Sequence, residues 1–74
     1  MKRDYSILRT VPMKAETKHG VVFTPQWHIA TDLAVDVLDE WIDTHSDGYV
    51  AGSAIGVMLF ENREDAALFK LMMG

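Results

Sequence analysis

The sequence predicts a small α+β domain in the order β-β-α-β-α, and three observations carry that prediction. Two short β-rich runs near the N-terminus, Tyr5 to Pro12 and Val21 to Phe23, flank a polar link. A segment with helical spacing, Trp27 to His45, comes next. An apolar run then ends at Phe60 and gives way to a second helical segment with its own capping residues. The expected arrangement is one domain over residues 1–74, with an antiparallel sheet in the order 2-1-3 and both helices packed on one face. Self-association into a dimer or larger closed oligomer is part of the expectation.

Each element has a local reason. Tyr5, Ile7 and Val11 share one strand face with Arg9, while Ser6, Leu8 and Thr10 share the other. Pro12 has no N–H to give a ladder, so the strand ends there or bulges. Met13 to His19 is a polar link. Gly20 then opens Val21-Val22-Phe23, a second strand that pairs with the first across a long hairpin loop. Thr24-Pro25 reads as a helix start, with Thr24 capping free N–H groups and Pro25 in the first helical position. That helix is expected to run to about His45, where Ser46-Asp47-Gly48 stops it. Its apolar arc holds Trp27, Ala30, Leu33, Ala34, Val35, Val37, Leu38, Trp41 and Ile42, and Ile29 is the misfit among the acids.

Tyr49 to Phe60 is too short to span a bilayer. Within it, Ala54 to Phe60 is apolar on both faces, as in a central strand covered on each side. Gly52-Ser53 offers a competing reading, a tight turn between two short strands, and whether Tyr49 to Ala51 is a strand of its own stays open. Asn62 caps the last helix, and Asp65 three residues on returns the capping interaction. Ala66, Leu68, Phe69, Leu71, Met72 and Met73 make that helix apolar almost all round. A chain of 74 residues buries only about 60–65% of its unfolded surface. A second copy is therefore expected to cover what is left, through Val57, Leu59, Leu68, Phe69, Leu71 and Met72.

Composition narrows the function classes. Cysteine is absent, which removes disulfides, thiolate metal sites and cysteine nucleophiles together. Small secreted domains usually need such cross-links, and Met-Lys-Arg-Asp-Tyr is not followed by a signal-peptide core, so a cytoplasmic setting is expected. The net charge of −4 argues against general affinity for nucleic acid. It is unevenly spread: residues 1–18 hold five basic and two acidic residues, and the remainder holds two basic and nine acidic ones.

The sequence from Gly56 to Leu71 resembles the ending of many small uncharacterised proteins of tailed bacteriophages, marine phages among them. In those proteins an apolar strand runs into Phe-x-Asn-x-x-Asp-Ala-x-x-Phe-Lys-Leu. Here the pattern is carried by Phe60, Asn62, Asp65, Ala66, Phe69, Lys70 and Leu71. The resemblance covers the C-terminal segment only and brings no catalytic residues with it. It implies a phage-type accessory protein, acting in the host cytoplasm.

Candidate sites follow from the charge pattern. At about 100° per residue, Asp32, Asp36, Asp39, Glu40 and Asp43 fall inside an arc of roughly 80° beside His28. Such a stripe suits a basic protein partner, an imitation of DNA phosphates, or simply solvent. One helix face rarely supplies the six to eight oxygens that calcium needs. His28 with Asp32 or Asp36 offers a metal pair or an acid–base pair, but no further ligand set joins it. His45 is placed to meet free carbonyls at the helix end. Gly48-Tyr-Val-Ala-Gly52-Ser lacks the lysine of a phosphate loop. No catalytic, cofactor or metal residues are assigned. The resulting expectation is a non-catalytic accessory protein that self-associates and binds a macromolecule, above all a protein, through the acidic helix face. One alternative is a nucleic-acid module using Arg9, Lys14, Lys18 and an exposed Tyr5, with Lys2 and Arg3 adding charge. Another is a small enzyme with its site between subunits.

Overall fold

Eight elements follow one another in a computed structural model that describes residues 5–53 and 56–73. They are β1 (Leu8–Arg9), β2 (Ala15–Glu16), β3 (Val22–Phe23), β4 (Trp27–Ala30), α1 (Val35–His45), β5 (Val50–Ser53), β6 (Val57–Phe60) and α2 (Arg63–Met73). The α+β class, two helices and antiparallel pairing are as expected from the sequence. Lys2, Arg3, Ala54 and Ile55, which also entered the sequence reading, lie outside the described residues.

The largest departure is at Trp27. Trp27–Ala30 is a strand, and the helix starts eight residues later than Trp27, at Val35. Thr24-Pro25 does not cap a helix. Pro25 is fully buried, and the next residue, Gln26, gives its N–H to Phe60 O at 2.9 Å and accepts from Thr10 N at 3.0 Å. Once that extended path is fixed, Trp27 and Ile29 turn to one face and His28 and Ala30 to the other. Ile29, the misfit of the helical reading, is wholly buried in the sheet.

The link into α1 is held by a chain of hydrogen bonds. Leu33 N–H donates to Thr31 Oγ1 at 3.2 Å, Thr31 Oγ1 to Tyr5 Oη at 3.0 Å, and Tyr5 Oη to Asp32 Oδ1 at 3.0 Å. Ala34, at the N-cap, supplies no side-chain cap. The helix ends at His45 as expected. There Ser46 N and Ser46 Oγ both donate to Ile42 O, at 3.3 and 2.7 Å.

The main sheet runs β1-β4-β6-β5, not 2-1-3, and is antiparallel throughout. The first expected hairpin is split. Leu8 and Arg9 pair with His28 and Trp27, while Val22 and Phe23 pair with Glu16 and Ala15 in a separate ribbon. Residues 13–19 therefore contain a strand where a plain loop was expected. The Tyr5–Pro12 strand shortens to two residues, Leu8–Arg9, and the Tyr5 ring before it turns inward and stacks on Phe69. Of the strand expected over 54–60, β6 holds Val57–Phe60. The segment left open before it forms a strand of its own, β5, paired with β6 in a register that joins Ser53 to Val57. Gly52-Ser53 lies inside β5 and is not the turn of the competing reading.

Both helices cover one face of this sheet, where Ile29, Val50, Met58 and Phe60 meet Leu38, Trp41, Ala66 and Phe69. Each fully buried Ile, Leu, Met or Phe among them contributes on the order of 1.5–3 kcal/mol. Asp65 is 3% exposed and does not close a capping box. Its carboxylate accepts from Asp47 N at 3.1 Å and Gly48 N at 2.8 Å, which fastens the loop after α1 to the first turn of α2.

Candidate functional site

The register of the sheet decides what its other face shows. Leu8, His28, Leu59 and Ala51 form one row across β1, β4, β6 and β5, and Ala30 with Val57 lie in the next. Neither helix covers this side. Leu8 is 51% exposed, and Val11 and Met13, on the chain leaving β1, are 71% and 40% exposed. Val11, Met13, Val57 and Leu59 line a groove of about 420 Å³. Its polar members are Arg9, Thr10 and His28, and Thr10 Oγ1 and His28 Nδ1 are hydrogen-bonded at 3.0 Å. His28 thus sits on a strand, hydrogen-bonded to Thr10, and not on a helix four residues before Asp32, whose Oδ1 accepts from Tyr5 Oη. Sequence reasoning reached Val57 and Leu59 but missed Leu8, Val11, Met13 and His28. The signal for His28 was the alternation around Trp27, which the helical reading absorbed, while Leu8 and Val11 were read only as strand residues and Met13 as part of the polar link.

The remaining expected association residues divide. Phe69 is fully buried and Leu68 half-buried against the core, so Phe69 is a core residue and not a docking one. Leu71 is 81% exposed and Met72 is 45% exposed, on the outer side of α2. The helix is therefore less apolar in its setting than its composition indicated, because its buried stripe is satisfied within the chain.

Four of the five acids keep their place. Asp36, Asp39, Glu40 and Asp43 share one side of α1, and Asp32 lies before it in the link to β4. Asp43 is engaged: Lys18 Nζ donates to its Oδ2 at 2.6 Å, and His19 Nε2 stands 3.9 Å from its Oδ1. That hydrogen bond holds the Asp43 carboxyl below its usual range and the Lys18 ammonium above its own. The contact ties the turn of the β2–β3 ribbon to the end of α1.

Among the described residues the basic side chains of the N-terminal segment go to separate partners. Tyr5 is buried on Phe69 rather than exposed for stacking, Lys18 is committed to Asp43, and Lys14 donates to Thr24 Oγ1 at 3.3 Å. Arg9 lies over the ring of Trp27, which belongs to β4 and not to a helical core arc. Among the described residues no group of three or more His, Asp or Glu side chains is arranged to hold a metal ion, and no helix is long and apolar enough to cross a membrane. No protein family, curated protein or solved structure matches the chain.

Proposed function

We propose that this chain is a non-catalytic association module whose sheet face opposite the helices, at β1, β4 and β6, docks on a second copy of itself. The observation that carries this reading is the side of the sheet away from the helices at Leu8, His28 and Leu59, with its adjoining groove. In that groove Val11, Met13, Val57 and Leu59 stand beside Arg9, Thr10 and His28; Ala51, at the far end of the row, is buried. The row itself contains no carboxylate, lysine or arginine, and a face-to-face pairing must only keep the two copies of Arg9, which lines the groove, apart from each other. In this reading the acidic side of α1, chiefly Asp36, Asp39 and Glu40, then remains available to a basic protein partner. The resemblance of residues 56–71 to phage proteins supports an accessory role in a phage-infected cell.

Sedimentation equilibrium tests the association directly. The expected result is a dimer at high micromolar concentration, with Leu8→Asp and Leu59→Asp each weakening it by at least about tenfold. Both variants should keep the parent's circular dichroism, since both side chains point away from the helix layer. A strict monomer in the unsubstituted chain overturns the reading. For the acidic side, a pull-down that survives Arg9, Lys14 and Lys18 to Ala but fails after Asp36→Asn, Asp39→Asn and Glu40→Gln supports a basic protein partner. The opposite pattern supports nucleic acid.

A further inference from the structure

Two arginines from distant parts of the chain converge on one indole. Arg9 of β1 places its Cζ 4.7 Å from the Trp27 ring centroid, and Arg63, the first residue of α2, places its Cζ 5.5 Å away. Because both distances run to the same centroid, the two guanidinium carbons are no more than about 10 Å apart. The placement follows from the fold: Arg9 is the register partner of Trp27, and Phe60, the other partner, leads through Glu61 and Asn62 into α2. Among the described residues neither guanidinium has a carboxylate within ion-pair distance, although Glu61 and Glu64 flank Arg63 in sequence. In a chain of net charge −4, two neighbouring cations without a counter-charge are a local exception.

Stacking on an aromatic ring uses the flat face of a guanidinium and leaves its N–H edge for a ligand. It also pre-orders the side chain, so less freedom is lost when an anion binds. Charge-assisted N–H···O bonds put a phosphorus roughly 4 Å from each guanidinium carbon, so one phosphate spans about 8 Å between two arginines. That span lies within the bound of about 10 Å set by the two centroid distances, and both side chains are exposed. From this we infer that Arg9 and Arg63, set against Trp27, form a two-point site for the phosphate monoester dianion of a small ligand. A dianion matches two cations. A polynucleotide offers singly charged diesters and needs a row of cations to follow its backbone. The other described basic residues of the N-terminal region do not extend such a row, since Lys14 bonds Thr24 and Lys18 bonds Asp43.

The test is an NMR titration of the isotope-labelled chain. It reads the Arg9 and Arg63 Nε–H signals and the Trp27 indole, with the buried Trp41 indole as a reference for the fold. The probes are inorganic phosphate, a nucleoside monophosphate, and a single-stranded oligonucleotide without a terminal phosphate. The expected result is saturable shifts at the three reporters, with a Kd of about 1 mM or tighter for a phosphate probe. Arg9→Gln and Arg63→Gln should each weaken this by about tenfold, and the lysine variants by less. Equal affinity for both phosphate probes identifies free phosphate as the ligand, and tighter nucleotide binding identifies a phosphate ester; either supports the site. Shifts that do not saturate, or that survive both glutamine substitutions, overturn it. So does tighter binding of the oligonucleotide. Should Arg63→Gln disturb α2, Arg63→Lys and Arg9→Gln still decide the matter. The Leu8→Asp variant, at a position that does not line the groove shared by Arg9 and Leu59, should titrate like the parent, so failure of the association reading leaves this result standing.

Discussion

Gly56 shows how closely the chain approaches itself at the turn between β5 and β6. Its φ is +85°, and an added Cβ would lie 2.6 Å from Thr31 O. Thr31 N donates to Gly56 O at 2.8 Å, so the two backbones are locked together at that point. Gly56→Ala therefore meets both a left-handed backbone and an immovable carbonyl, and should cost roughly 2–4 kcal/mol. Gly20 has nearly the same φ, +86°, but an added Cβ there would meet open space. Gly20→Ala should cost only about 1 kcal/mol. Urea unfolding of both variants checks the contrast, and equal losses would show that the Thr31 contact contributes nothing. The local sequence offers Gly56 as a turn residue. It cannot show that Thr31, twenty-five positions away, sets the larger part of the cost.

At the scale of elements, α1 explains both what was legible and what was not. Its C-terminus was readable because Ser46, Asp47 and Gly48 cannot continue the pattern, and it ends where they begin. Its N-terminus was not, because Thr24-Pro25 carries a strong start signal in the wrong place while Ala34 carries none in the right one. Ala34 already has the extended backbone of an N-cap, φ −69° and ψ 151°. Ala34→Ser should therefore stabilise the fold by about 0.5–1 kcal/mol, seen as a higher urea midpoint with an unchanged slope. The β2–β3 ribbon is held to the other end of α1 by Lys18 and Asp43. The depressed Asp43 carboxyl contributes stability above the ordinary carboxylate range and loses it as pH falls through its lowered folded value. The raised Lys18 ammonium contributes below the ordinary lysine value and loses it as pH rises through its raised folded value. Both groups are exposed, so global stability should scarcely respond. The sensitive readout is the Asp43 carboxyl titration by NMR. It should lie below the usual range in the parent and move back up in Lys18→Met; no movement would mean that Lys18 is not the cause.

For the molecule as a whole, stability rests on one aromatic cluster more than on any single element. Phe69 of α2 stacks on Tyr5 with centroids 5.8 Å apart, meets Trp41 of α1 edge-on at 5.2 Å, and touches Phe60 of β6 at 5.9 Å. It joins the N-terminal segment, the sheet and both helices. The apolar character of these residues was visible in the sequence, but their partition was not. Composition placed Phe69 with Leu71 and Met72 on an association surface, whereas three-dimensional packing encloses the first and leaves the other two outside. Removing the Phe69 ring leaves a cavity shared by every layer, so Phe69→Ala should cost about 3–5 kcal/mol. A domain of this size has a total of that order, and the variant should be largely unfolded at 25 °C by circular dichroism. Trp41 provides the internal comparison. It is 4% exposed and meets Phe60 edge-on at 6.2 Å, yet among the described residues its buried Nε1–H finds no hydrogen-bond acceptor. Trp41→Phe loses apolar area but also removes that unsatisfied donor, whose burial costs about 1–3 kcal/mol. Its net effect should stay below about 1.5 kcal/mol, within the range of tolerated core replacements. If Trp41→Phe proves as damaging as Phe69→Ala, the packing of the indole outweighs the cost of its unsatisfied N–H, and Phe69 is not the centre of the cluster that its geometry describes.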